Sequence, residues 1–388
     1  MQSYDVIVIG SGLAGLQCAR LLGRTGARVL LVDRKATLAD SVHTTGIFVR
    51  RTLEDFDLPE DCLGPAVRHV TLYSPARRSL KLESQHAEFR VGRMAKLYQR
   101  YLHDAQSAGV AWMPSTRYVD HVMCRRKLVV RLEARGYVRW VETRFLVGAD
   151  GAQSRVARDL ELDENREWIV GVEEVFRHVP LEGPPRFHCF LDPKRAPGYL
   201  AWVINDGEET HVGVGGYAAR FDPLKALESF RASVTPDIVD LSKAERVERR
   251  GGRIPVGGVL RRLQNERGLL IGDAAGAVSP LTAGGLDPCM RLSTMAAHVI
   301  SDYLATEDRE ALKAYSGELF RARFTSRLWM RRLIAAAQKP FLLEAGCALM
   351  RLPPLDSLAW HVFFGRGSFP DVGMERSAQL ATCKVTAP

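Results

Sequence analysis

The sequence predicts an α/β protein: a parallel, helix-flanked sheet, an antiparallel sheet inserted into it, and a helical C-terminal region. Three observations carry this. Residues 4–9 form an apolar, β-branched run too short for a helix; a glycine-rich turn then leads into an amphipathic helix and a second apolar strand, 29–32. From about residue 165 to 255 short strands replace that pattern, at 169–175, 187–191, 199–204 and 210–217. Beyond about residue 306 the sequence is apolar-rich with helical spacing.

At 388 residues the protein has room for two or three domains. Its 46% hydrophobic and 26% charged residues describe an ordinary globular protein. No run approaches the roughly 18 apolar residues of a membrane span, and the strand-length N-terminal run is no signal peptide. Seven scattered cysteines, never in a C-x-x-C pair, argue against a disulfide framework or a metal site and for a reducing cytoplasm. The net charge of +9 favours anionic partners: nucleotides, phospholipid surfaces or phosphorylated substrates. No motif supports nucleic acid.

Gly10, Gly12 and Gly15 make a G-x-G-x-x-G array between the first strand and its helix. Gly10 permits the tight turn, Gly12 lets a pyrophosphate approach the backbone, and Gly15 lets helix and strand pack closely. Leu13 and Ala14 open the helix, whose free N–H groups and partial positive charge suit phosphates. Asp33, with Arg34 beside it, ends the second strand where an acidic side chain accepts bonds from a ribose.

Further along, residues 38–60 read as a loop and a short helix, and 67–73 and 79–83 as strands around Ser74-Pro75. Arg93 opens a helix running to Ser107, stopped by Gly109. Strands follow at 110–113, 128–133 and 138–143, the last two joined across Arg135-Gly136, and at 145–149. Helices are expected near 222–233 and 236–246, then a buried strand at 268–271 and a helix to about residue 304.

Three motifs come in a fixed order: the N-terminal glycine array, a central G-A-D-G-A-Q-S (148–154) and a late G-D-A-A-G (272–276). Together they resemble the FAD-dependent oxidoreductases of glutathione-reductase type. The branch is the one holding aromatic hydroxylases, flavin-dependent halogenases and geranylgeranyl reductases. The resemblance covers residues 4 to about 304. It implies a Rossmann-type three-layer FAD-binding domain (1–65, 90–160 and 255–305), an inserted antiparallel β-sheet substrate domain (66–89 and 161–254) and a helical C-terminal region (306–388). It further implies that Asp273, after Gly272, bonds the ribityl moiety. Pro280, Gly284, Gly285 and Leu286 would bring a helix N-terminus to the flavin ring, where negative charge develops on reduction. Asp150 and Gly151 would position FAD and a nicotinamide pyrophosphate, although the arginine usual in that motif is Ala157 here. Arg93 would reach the cofactor's phosphates or ribityl moiety, and the backbone of Val119 would hold the adenine.

One dinucleotide fingerprint is present, without a second one or a C-x-x-x-x-C pair, so electrons are expected from transiently bound NAD(P)H or a separate reductase. Residues 197–205, followed by Gly213 and Gly215, resemble the geranylgeranyl reductase pattern Y-x-W-x-F-P with a later G-x-G. Trp202 matches, while Leu200, Ile204 and Asn205 replace the other three. The halogenase pattern W-x-W-x-I-P matches only at Trp202 and Ile204. Strand alternation puts Leu200, Trp202 and Ile204 on one face, as candidates to wall a pocket. Thr45 and Gly46 are further pocket candidates, at a place where many such reductases carry a cysteine before the glycine; Cys289 is the nearest thiol in sequence to the flavin loop.

The resemblance thus implies hydride transfer from reduced flavin to a carbon–carbon double bond of an apolar, isoprenoid-like or lipid substrate. The alternative is a monooxygenase acting on an aromatic or polyketide-like ring; a third reading is a flavin that is structural or only carries electrons. No side chain stands out as a catalytic acid. Between Arg321 and Arg351 seven Lys/Arg face one acidic residue, Glu344, among apolar positions. Such basic amphipathic helices suit peripheral contact with an anionic membrane by an otherwise cytoplasmic protein.

Overall fold

The computed structural model describes residues 1–38, 42–125, 127–180, 183–337, 339–353 and 355–365. The first strand, Gln2–Ile9, lies parallel to Val29–Val32 on one side and to the long strand Tyr137–Gly148 on the other. Ala111–Met113 extends the sheet beyond Val29–Val32, and Gly268–Leu270 adds to Tyr137–Gly148, both in parallel. Val6, Ile7, Val8, Leu30 and Leu31 are fully enclosed, as the apolar runs of a sheet covered on both faces require. The helix Leu13–Arg24 covers one face, packed against Leu286–Thr306 and Met94–Ser107.

Close backbone approach sets this geometry. Gly10 has φ +107°, and a Cβ there would lie 2.2 Å from the carbonyl oxygen of Ala149. A Cβ on Gly15 would lie 1.9 Å from the carbonyl oxygen of Gly10. Both positions therefore exclude any side chain.

Three sequence expectations change here. The two strands expected within 138–149 are one, Tyr137–Gly148: its first half pairs antiparallel with Lys127–Ala134 and its second half parallel with Gln2–Ile9. Residues 67–73 are split at Arg68. Leu63–Val67 joins Phe89–Gly92 and Ile47–Val49 in a small sheet, while His69–Tyr73 enters the large second sheet. The helix expected at 236–246 is only a turn at Thr235–Asp237, followed by the strand Glu245–Pro255. That strand is at the edge of the second sheet, where charged side chains are tolerated and no apolar stripe is needed. Arg246 and Arg249 from it, with Arg231, converge on the buried carboxylate of Glu174 at 2.7–2.8 Å.

The second sheet is antiparallel except for His69–Tyr73 against Arg186–Phe190. Its strand Ala201–Asn205 has two apolar faces. Ala201 and Val203 pack with Phe230 of the helix Pro223–Ser233, while Trp202 and Ile204 pack with Phe187, Val91 and Phe364 on the other side. Phe364 and Ala359 belong to Asp356–Phe364, so the C-terminal helices close over the second face. Residues 366–388 of the expected helical region lie outside the described residues.

Substituting Gly15→Ala forces helix and strand apart. We expect a loss of about 1–3 kcal/mol of stability, read as a lower denaturant midpoint with a normal slope.

Candidate cofactor and substrate site

The parallel strands end together at one edge. Gly10, Asp33, Ala149 and Gly272, each just past a strand end, all line one continuous cavity of about 1120 Å³. That is the crevice at which open α/β sheets bind ligands. At its dinucleotide end, Leu13 and Ala14 begin a helix that no side chain caps, and a Cβ on Gly12 would meet nothing within 4 Å. Uncapped N–H groups beside open space form a cradle for phosphate oxygens. The Asp33 carboxylate accepts from Ser11 N (2.7 Å), Ser11 Oγ (2.6 Å) and Lys35 N (2.8 Å). A carboxylate has about four acceptor positions, so one remains for a ligand hydroxyl. Arg34, Thr116, Arg117 and Tyr118 line the same end. Val119, one residue further, is outside the lining.

The middle of the cavity belongs to the 272–287 segment. Burial pushes the Asp273 carboxyl up to about 6, and among the described residues no hydrogen bond or ion pair reaches its side chain. Half-buried and facing the cavity, this carboxylate has no protein partner among the described residues, and hydroxyls of a bound ligand would satisfy it. Gly284, Gly285 and Leu286 line the cavity where the 21-residue helix Leu286–Thr306 begins uncapped. Pro280 does not line it. Asp150 and Gly151 do, but the Asp150 carboxylate is committed locally: it accepts from Ser154 Oγ (2.5 Å), Arg155 N (2.7 Å) and Val156 N (3.2 Å). Its side chain therefore shapes the turn, and Gly151 leaves open space beside it. Cys289 also lines the cavity, with its thiol pushed well above the ordinary range by burial, which favours the un-ionised form.

Arg93 corrects a sequence expectation. It caps Met94–Ser107, but its guanidinium turns away from the cavity to Asp206 (2.6 Å), Glu208 (2.6 Å) and Glu209 (3.3 Å). Those carboxylates lie on a turn more than a hundred residues later, which no local pattern around Arg93 reveals. Asp206, Glu209 and His211 present ligand-type atoms within 4.8 Å of one another. The Arg93 guanidinium bridges two of them, so a resident cation already fills the role a metal would take.

Leu200, Trp202 and Ile204 line the far end of the cavity together, as strand alternation requires, joined by Phe187, Leu191 and Leu72. Opposite the indole, a Cβ on Gly213 would lie 2.3 Å from the Trp202 ring, and one on Gly215 would lie 2.8 Å from the Tyr199 ring. The G-x-G pair is thus a flat shelf for two aromatic rings. Tyr199 donates its hydroxyl proton to the carbonyl of Thr282 (2.7 Å), tying this wall to the 272–287 segment. Met330, Ile334, Met350, Leu358 and Phe363 from the C-terminal helices complete the chamber.

Thr45 and Gly46 also line the cavity, and they lead to residues the sequence reading missed. Thr45 donates to Glu173 (2.7 Å), Trp202 donates its indole N–H to the same carboxylate oxygen (3.0 Å), and Arg250 and His211 stand behind it. The available signal was a pair of glutamates, 173 and 174, inside an otherwise apolar strand.

Relatives with curated names share most of this chain. A digeranylgeranylglycerophospholipid reductase of Methanothrix thermoacetophila is 28% identical over 326 residues, covering 80% of this chain and 81% of the relative. Digeranylgeranylglycerophospholipid reductase 1 of Methanopyrus kandleri is 28% identical over 325 residues, covering 80% and 84%. Among solved structures, a geranylgeranyl bacteriochlorophyll reductase-like protein of Thermoplasma acidophilum superposes with a TM-score of 0.80 at 19% identity, over 98% of this chain and 99% of that one. The flavin-dependent monooxygenase PieE, in complex with FAD and substrate, gives 0.71 at 18% identity over 96% and 74%. At these identities the structural likenesses speak for the fold. The model of a family described as FAD binding domain matches residues 3–330. With its cradle, its unpaired Asp273 and its uncapped helix starts, the chain belongs to that FAD binding domain family of flavin-dependent oxidoreductases.

Proposed function

We propose that this FAD-dependent oxidoreductase reduces carbon–carbon double bonds of an isoprenoid lipid. The observation that carries the reading is the single cavity that joins the dinucleotide cradle to a chamber walled by Leu200, Trp202, Ile204 and the C-terminal helices. A chamber walled mainly by aliphatic and aromatic side chains suits a polyprenyl tail. The relatives named digeranylgeranylglycerophospholipid reductase support the same substrate class. Bound FAD supplies the hydride; the protein's part is to hold substrate against it and keep water out. The cofactor contacts proposed are the phosphate cradle at Gly12, Leu13 and Ala14, the ribose acceptor Asp33 and the ribityl acceptor Asp273. NAD(P)H is the proposed electron donor, binding transiently.

The C-terminal helices are also the proposed membrane contact. No described helix is long and apolar enough to cross a bilayer. Trp329, Leu333 and Phe341 are nevertheless each more than 60% exposed, with Leu349 and Leu352 over half exposed. The basic residues are not a uniform outer face. Arg331 is buried, Arg321 bonds the carbonyls of Gly257 and Val259, Arg327 bonds Ser279, and Arg351 bonds the carbonyl of Arg78. Arg323, Arg332 and Lys339 remain outward. An apolar surface with three outward cations fits the headgroup boundary of an anionic membrane, where a lipid substrate resides.

Three outcomes follow. Removing the partnerless carboxylate in Asp273→Ala should weaken FAD binding about 10- to 100-fold, the scale of one charge-assisted hydrogen bond, measured by titrating apoprotein with FAD. Mixing anaerobically reduced holoenzyme with a geranylgeranyl glycerophospholipid should return the oxidised flavin spectrum at a lipid-dependent rate, with two hydrogens gained per double bond by mass spectrometry. A lipid that leaves the flavin reduced, together with a transient absorbing species when oxygen is added, would make the monooxygenase reading the better one. Finally, the protein should co-sediment with phosphatidylglycerol vesicles, and Trp329→Ser/Leu333→Ser/Phe341→Ser should release it while its thermal stability stays within about 1 kcal/mol.

A further inference from the structure

We infer that Thr45, backed by Glu173 and His211, delivers the proton that completes reduction of the substrate double bond; this rests on the reductase reading above. Saturating an alkene needs a hydride at one carbon and a proton at the other, and among the described hydroxyls that line the cavity Thr45 is the one hydrogen-bonded to a buried carboxylate with an imidazole behind it. Thr45 is half-buried and lines the cavity, so its hydroxyl can meet a substrate. Behind it the polar groups form a line. Thr45 Oγ lies 2.7 Å from Glu173 Oε2, which also receives the Trp202 indole N–H at 3.0 Å. Glu173 Oε1 lies 3.7 Å from His211 Nδ1, and His211 Nε2 lies 3.6 Å from Asp206 Oδ2. Asp206 contacts Arg93 at 2.6 Å, and Arg93 contacts Glu208, whose side chain is 60% exposed. The ion pairs thus run from the cavity to the surface, with Arg93 as a fixed cation that anchors the outer end and passes no proton itself.

His211 is 1% exposed, and neither ring nitrogen has a partner within hydrogen-bond distance. Burial opposes charge on it, but the carboxylates of Asp206 and Glu173 prevail and raise its pKa to about 9. The ring therefore stores a proton at neutral pH. Glu173, against its own burial, is held below the usual carboxylate range by His211, Arg250 and Thr45. The remaining charges around this pair are already engaged: Glu209 with Arg93 and Arg177, and Glu248 with Arg250. A shift of about 0.8 Å would bring His211 Nδ1 to hydrogen-bond length from Glu173.

The step balances as follows. The two-electron-reduced flavin is the reductant, and its hydride forms a C–H bond at one alkene carbon. The Thr45 O–H bond breaks, and its proton forms the C–H bond at the other carbon using the alkene's π pair. His211 Nδ1 passes its proton to Glu173 Oε1; a half-turn of that carboxyl presents the O–H to Thr45 Oγ, which takes it, so Glu173 ends ionised as it began. The neutral imidazole that remains regains a proton from solvent. Thr45 is the catalytic group, whereas Glu173 and His211 act through it.

Two measurements test this. In anaerobic single turnover of reduced holoenzyme with a geranylgeranyl glycerophospholipid, Thr45→Val should slow flavin reoxidation about 100-fold or more, the scale of a lost general acid. It should also change the solvent deuterium isotope effect, and Thr45→Ser should restore both most of the rate and the isotope effect. In the apoprotein, nitrogen NMR should show the His211 ring protonated up to about pH 9. Glu173→Gln should lower that midpoint by about one pH unit or more. A Thr45→Val protein that turns over at the wild-type rate with an unchanged isotope effect overturns the inference. So does a His211 that titrates at its ordinary value or ignores Glu173→Gln. A wild-type protein whose reduced flavin no isoprenoid lipid reoxidises overturns the reductase reading instead, and the His211 titration still decides whether the proton store exists.

Discussion

The crossing of the Gly10 carbonyl over Gly15 is the contact on which the remaining architecture depends. At 1.9 Å from a hypothetical Cβ, it leaves no room for a side chain, so the first helix can start only where it does. That start aims its free N–H groups along the edge at which four strands terminate. Gly10, Asp33, Ala149 and Gly272 are then neighbours although they are spread over more than 260 residues of sequence. A parallel sheet ends all its strands in the same direction, and one tight crossing is enough to turn that shared edge into a binding crevice.

The second sheet extends the crevice by a different device. Alternation along Ala201–Asn205 sends small residues toward Pro223–Ser233 and large ones toward the cavity. The large residues fit because the neighbouring strand carries Gly213 and Gly215 opposite them. The indole can therefore lie low against the sheet, with its N–H aimed at Glu173 rather than at solvent. The space above this shelf is closed by the C-terminal helices, which leave their other side rich in exposed aromatic and aliphatic residues. One set of helices thus forms both the roof of the chamber and the surface best suited to meet lipid.

What was legible in the sequence was local. The three glycine–aspartate motifs each combine a strand end, a turn and a helix start within a few residues, so spacing alone announces them. The same holds for the face shared by Leu200, Trp202 and Ile204. What was hidden depends on distant partners. Arg93 reads as a helix-start arginine beside a cofactor until Asp206, Glu208 and Glu209 are seen to hold it. The 245–255 strand is too charged to read as a strand, because ion pairs to Glu174 and an edge position replace the usual apolar stripe. His211 belongs to a strand whose pattern says only that it is buried, and the Glu173-Glu174 pair does not say which of the two faces the cavity.

The two glutamates show why burial alone does not explain such charges. Glu174 faces three arginines whose side chains are 39–50% exposed, so its charge is compensated at a wetted edge. Glu173 faces inward, with His211 1% and Asp206 0% exposed beside it. Taking such groups out of water costs several kcal/mol per ion, and apolar residues of like volume often serve stability as well or better. The outer cluster needs no role beyond holding an edge strand. The inner one opens onto the cavity at Thr45 and at Glu173 itself, and the His211 ring nitrogens lack hydrogen-bond partners that would fix a proton in place. A charge held by ion pairs but not locked by hydrogen bonds keeps its proton movable, and that mobility is what proton delivery requires and structural ion pairing does not.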